Sequence, residues 1–233
     1  MKNTKTIILL LLLMLDIISA ADAQVIRAED LEQYSMEKYG DKWNDAAENL
    51  ASQIQLDQNN CLTYVQVIDG GTQTKSQLYV LINYWVTQQF NDANSVIQLN
   101  DKETGTIIVQ GYCEDIARYV GFGAMYYITI KPTIKIDIKD GKVRVTESLQ
   151  YYDVTRIDGG IAGAVVGQKE HPVTDYKYLI NECYPFVEKD KHISNKKVSS
   201  KALIMANAYE NVLIDKLEAA IKNGIAGNEN DDW

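Results

Sequence analysis

The sequence predicts an α+β protein: an antiparallel sheet covered on one face by helices, with further helices added on its N- and C-terminal sides. Three observations carry this prediction. Ile134, Ile136 and Ile138 alternate with Lys135, Asp137 and Lys139, and Val143 and Val145 resume the alternation after Asp140-Gly141. That is a hairpin with one apolar and one charged face, closed by a dipeptide suited to a type I′ turn. An apolar helix opens at Thr74, where Gln77 has capping-box spacing, and a second helix runs from Ser199 or Ser200 to about Asn223. A sheet buried on one face only needs such helices to cover it.

The elements follow in order. Lys2 and Lys5 precede nine apolar residues, Ile7 to Leu15, and the small residues Ser19-Ala20-Ala21-Asp22-Ala23 come next, so residues 1–23 read as a secretory signal peptide. Cleavage is expected after Ala23, making Gln24 the first mature residue, with cleavage after Ala21 as the alternative. The run is too short to span a bilayer, which takes roughly 20 residues, so no transmembrane anchor is expected after cleavage. Residues 24–60 read as a helical arm broken at Gly40-Asp41, with Trp43, Ala47, Leu50 and Ile54 as an apolar stripe docked on the main domain.

Residues 61–186 read as the α+β core. Cys61 to Ile68 is a strand rich in β-branched and aromatic residues, and Leu78, Leu81, Ile82, Trp85 and Val86 form the apolar face of the helix after Thr74. Ser95 to Leu99 and Thr106 to Gly111 are strands joined by a polar hairpin loop. In the hairpin at Asp140-Gly141, Ile138 should face Val143 and Ile136 should face Val145, with the arms extending toward Tyr126 and Tyr152. Residues 175–186 are expected to form a short helix stopped by Pro185. Residues 187–198 read as a polar, lysine-rich linker, and 199–233 as the last helix, capped by Gly224, with an acidic tail.

Charge narrows the partners. The net charge of −9 is unchanged by removal of the leader, which takes away two lysines and two aspartates. An acidic domain repels phosphate backbones, so nucleic acid is excluded as a partner, leaving an envelope protein or a small molecule. Cys61, Cys113 and Cys183 have no C-x-x-C spacing; one disulfide with a cysteine left over and three buried thiols both fit.

The segment from Lys75 to Gly111 includes Leu81-Ile-Asn-Tyr-Trp-Val-Thr-Gln-Gln-Phe90, Ala93-Asn-Ser-Val-Ile-Gln-Leu-Asn-Asp101 and Gly105-Thr-Ile-Ile-Val-Gln-Gly111. It resembles a secreted bacterial family of unknown function with a TATA-binding-protein-like fold. The likeness covers roughly residues 61–155. It implies that chain path and nothing about activity, so it supplies no catalytic or ligand residue.

No catalytic or metal-ligating residue and no cofactor fingerprint emerges. His171 and His192 lie in predicted loops, no G-x-S-x-G frames a serine, and Gly121-Phe-Gly123 precedes a strand where a dinucleotide fingerprint would open a helix. Fifteen tyrosines against three phenylalanines fit either simple sheet packing, which strand propensity favours, or a contact surface for sugars or peptides. Tyr126, Tyr127, Tyr151 and Tyr152 are the candidates, one of each adjacent pair facing out. Gly159, Gly163 and Gly167 lie in an apolar stretch suited to a flexible or partner-contacting loop. The expected function is a non-enzymatic envelope or secreted binding module. The alternatives are a structural protein self-associating through its terminal helices, or an enzyme using Glu147 and Asp153 as an acid pair on one strand face.

Overall fold

The computed structural model describes residues 26–40, 42–90, 96–159, 161–162, 171–184, 186–187, 193 and 195–224. The leader, Gly163, Gly167, His192, the Trp43 side chain and the acidic tail lie outside the described residues. The arm breaks where Gly40 takes a φ of +65°, giving α1 (Ala28–Tyr39) and α2 (Trp43–Gln53). Asp57 then turns the chain: its Oδ1 accepts the N–H groups of Asn59 and Cys61 at 2.8 and 2.9 Å, and β1 (Leu62–Asp69) follows. Thr74 and Gln77 form a reciprocal capping box at the start of α3 (Lys75–Gln89), and the buried residues of α3 are the predicted apolar face.

The remaining elements are β2 (Ile97–Asp101), β3 (Thr106–Gln110), β4 (Cys113–Val120), β5 (Ala124–Ile130), β6 (Thr133–Lys139), β7 (Lys142–Leu149), β8 (Tyr151–Asp158), β9 (Val173–Leu179), the single turn α4 (Ile180–Cys183) and α5 (Lys196–Asn223). Among the described residues the strands form two antiparallel sheets, β1-β7-β6-β3-β2 and β4-β5-β8-β9.

The predicted pairs Ile138 with Val143 and Ile136 with Val145 form, and all four side chains are buried. Both arms of this hairpin run on into the second sheet. Thr133 faces Ser148 in the first sheet, and Ile130 faces Tyr152 in the second. Between those pairs, residues 131 and 132 on one arm oppose residues 149 to 151 on the other. The extra residue works as a bulge: it turns the ladder and shifts the inward-facing phase by one. Val143, Val145, Glu147 and Leu149 point inward before it, Tyr152 and Val154 after it.

Three expectations change. Residues 175–179 belong to a strand, because Thr174, Tyr176 and Tyr178 alternate with Asp175 and Lys177 and the β8 ladder satisfies their backbone; only residues 180–183 are helical. The last helix begins at Lys196, since Asn195 Oδ1 accepts the N–H groups of Lys197 and Val198 at 3.0 and 3.3 Å. The Asp140-Gly141 turn is not type I′, which needs positive φ at both residues; only Gly141, at +65°, has it. Tertiary bonds set this turn: Asp140 Oδ1 accepts the Lys75 N–H at 2.7 Å, and the Gly141 N–H donates to the Gln73 carbonyl at 2.8 Å.

Helix α5 is the centre of the core. It packs on β4, β1 and α3, while α1 and α2 pack on α5 in turn. Its residues from Val198 to Tyr209 are buried almost all round, as expected of a helix enclosed by protein on every side. The three cysteines are buried and none is in a disulfide, and burial pushes the Cys113 thiol up to about 12. Among the described residues no helix is long and apolar enough to cross a membrane.

Candidate functional site

Residues directly opposite in an antiparallel ladder share a face. In the second sheet Tyr127 faces Thr155, Thr129 faces Asp153, Thr155 faces Asp175 and Asp153 faces Lys177. These form its uncovered face. The alternate residues Ile128, Ile130, Tyr152 and Val154 are buried in the core.

The candidate tyrosines divide accordingly. Tyr152 is 1% exposed and belongs to the core, and Tyr126, on the same side, stacks on Tyr119 with ring centroids 5.0 Å apart. Tyr127 and Tyr151 stand on the uncovered face. Gly159 takes a φ of +97° and its N–H donates to the Gly123 carbonyl at 2.9 Å, tying the end of β8 to the β4–β5 turn, away from this face.

A depression of about 550 Å³ opens on the uncovered face. Tyr127, Thr129, Asp153, Thr155 and Asp175 line it from the sheet, and Tyr112, Glu114, Asp115 and Lys131 from its rim. Its side chains are held by one another. Lys131 Nζ lies 2.7 Å from Asp153 Oδ2 and 5.6 Å from the centre of the Tyr112 ring. The Tyr112 hydroxyl donates to the Glu114 carboxylate, and burial with that carboxylate holds the phenol above its ordinary range. Thr155 Oγ1 donates to Asp175 at 2.7 Å, and the Lys177 ammonium sits 4.2 Å from the centre of the Tyr151 ring.

The rim is shaped by an irregularity in β4. The pairing of β4 with β5 shifts register between Cys113 and Ala117, and Asp115 takes a φ of +50° there. Asp115 pairs with Arg118 at 3.3 Å, and partial burial still raises its carboxyl above the usual range.

Flat rings, hydroxyls and carboxylates on one rigid face suit contact with a polar ligand that has a flat side. The catalytic candidates weighed from the sequence do not come together on this face. His171 Nδ1 lies 3.1 Å from the Asp158 carbonyl, outside the depression. Glu147 is buried under the helices of the first sheet while Asp153 faces the depression, so the bulge between β7 and β8 separates the supposed acid pair. Among the described residues no group of three His, Cys, Asp or Glu is placed to hold a metal ion.

Sequence reasoning missed Tyr112, Lys131, Thr155 and Asp175. The alternation within Val173-Thr-Asp-Tyr-Lys-Tyr-Leu179 was the available signal for β9, and with β9 placed, Asp175 and Thr155 fall on one face. Tyr112 and Lys131 lie between strands, where periodicity says nothing of direction.

The match to a family model agrees with the fold. Residues 64–152 match DUF4468, described as a domain of unknown function with a TBP-like fold. Two solved structures are similar. One is a TBP-like protein from Parabacteroides distasonis, 16% identical, with a TM-score of 0.44 over 72% of this chain and 96% of that one. The other is a DUF4468 family protein from Bacteroides ovatus, 11% identical, with a TM-score of 0.43 over 76% of this chain and 94% of that one. No curated protein matches. The segment from Tyr64 to Tyr152, running from β1 into β8, is thus the part of the chain that is similar to the DUF4468 domain of unknown function, described as having a TBP-like fold.

Proposed function

We propose that this is an exported, non-enzymatic binding module of the bacterial envelope whose ligand face is the uncovered face of the second sheet. The observation that carries the reading is the tyrosine-rimmed depression, whose polar groups converge on a sheet face over which no helix packs among the described residues. Its volume of about 550 Å³ lies within the range of roughly 300–1,000 Å³ usual for ligand sites. Tyr127 supplies a ring, Thr129 a hydroxyl, and Asp153 and Asp175 acceptors, a set that fits a short glycan or another small polar ligand. Export rests on the leader sequence, and it predicts a mature N-terminus at Gln24 or Asp22.

The test is cross-linking in the bacterial envelope followed by mass spectrometry of the captured material, with wild type and the Tyr127→Ala/Asp153→Ala double variant in parallel. The reading expects a reproducible adduct that the double variant loses while its circular dichroism stays unchanged. Equal capture by both forms would place binding elsewhere on the molecule.

A further inference from the structure

Strand β9 ends the second sheet. It pairs with β8 on one side, and among the described residues no strand pairs with its other side. It is seven residues long, contains no proline and shows no register shift; Val173, Tyr176 and Leu179 are 61%, 40% and 42% exposed. A long, regular, exposed edge presents backbone donors and acceptors that another strand can satisfy.

The sequence of that edge is complementary to itself. Set a second copy antiparallel with Tyr176 opposite Tyr176, and Asp175 falls opposite the copy's Lys177 while Lys177 falls opposite the copy's Asp175. Val173 then meets Leu179 twice on the same face, and Thr174 meets Tyr178 twice on the other. Opposite-charge and apolar cross-strand pairs stabilise a ladder, and like charges oppose it. Centring the axis on either neighbouring residue puts Asp175 or Lys177 against its own copy, so the charges select one register.

We propose that two copies of this chain associate by antiparallel pairing of β9 about Tyr176, joining two four-stranded sheets across a two-fold axis. The charges are already in position: Thr155 holds Asp175 on the uncovered face, and Lys177 lies over Tyr151 on that same face. A perpendicular two-fold keeps that face on one side of the joined sheet. Each copy's Lys177 therefore arrives beside the Asp175 that lines the other's depression, and the two depressions open in the same direction. This association stands on the edge and its charges, independently of what the depression binds.

The test is the mass of the purified protein by light scattering and sedimentation equilibrium, for wild type, Lys177→Glu, and Asp175→Lys combined with Lys177→Glu. Wild type is expected to be dimeric. The single reversal turns two attractive pairs repulsive and should weaken the dimer at least about tenfold, and the swapped pair should restore it to within about threefold. Circular dichroism checks that each variant is folded. A wild type that stays monomeric to about 100 µM would overturn the proposal, since edge pairing of any consequence shows by then. So would a dimer indifferent to Lys177→Glu, or a folded swap that does not recover it.

Discussion

The carboxyl of Glu147 is 3% exposed on the helix-covered face of the first sheet, with one oxygen lacking a hydrogen-bond partner. Burial, with Glu210 of α5 adding repulsion, holds it well above the usual carboxylate range. The folded state therefore keeps a proton that the unfolded chain releases near 4.5. Folded protein binds more protons above that pH, so stability falls as pH rises through the window between the unfolded and folded values. Replacing Glu147 with Gln should flatten this slope: little change at about pH 4, and a gain of about 1 kcal/mol or more at about pH 7.5, read by urea denaturation at both. The sequence placed Glu147 correctly with Val143 and Val145. It failed to separate Glu147 from Asp153 because one extra residue near Gln150 reverses the phase, and composition carries no mark of that bulge.

At the scale of elements, the hairpin tip shows how tertiary bonds decide local geometry. Gly141 sits at positive φ with its α-carbon so close to the turn between β1 and α3 that an added Cβ would lie 2.7 Å from the Gly71 carbonyl oxygen. Its own carbonyl accepts the Gly70 N–H at 2.9 Å. Gly141→Ala should cost about 1–3 kcal/mol from backbone strain and the lost approach. Amide exchange checks the cause: protection should fall first at Gly70 and Gly141. A stability loss spread evenly over both sheets would point to a different origin. The hairpin's register, the α3 cap and the apolar face of α3 were all legible, because each depends on residues near in sequence. β9 was missed because it is exposed on both faces, so its alternation of residue types is the only strand signal it carries and comes without an apolar side.

For the whole molecule, the long helices and the central hairpin were readable, but strands β4 and β9 were not, nor was the division into two sheets, which depends on where a continuous pair of strands bends. The helical arm belongs to the same core as the sheets: Ile26, Leu31, Ala51 and Ile54 pack with α5 and the strand residues. Removing residues 24–60 should therefore expose α5 and cost several kcal/mol, as about 1.5–3 kcal/mol attends each large apolar side chain uncovered. Trp85 fluorescence and far-ultraviolet circular dichroism should share one urea transition in the intact protein, and the truncated chain should unfold at lower urea or aggregate. A truncated chain as stable as the intact one would mean that the arm is an appendage.

The long bent hairpin also bears on the order in which the molecule can assemble. Its two arms, 124–139 and 142–158, close across a two-residue loop and contribute the middle of both sheets. Local pairing of this kind forms quickly, whereas the pairing of β1 with β7 and the seating of α5 must close far longer loops. As the chain is synthesised, both sheets are present before the helix that covers them, with their apolar faces open until α5 arrives. Seating that one helix is then the step that commits the chain to its native state, and substitutions along its buried side should slow folding more than they speed unfolding.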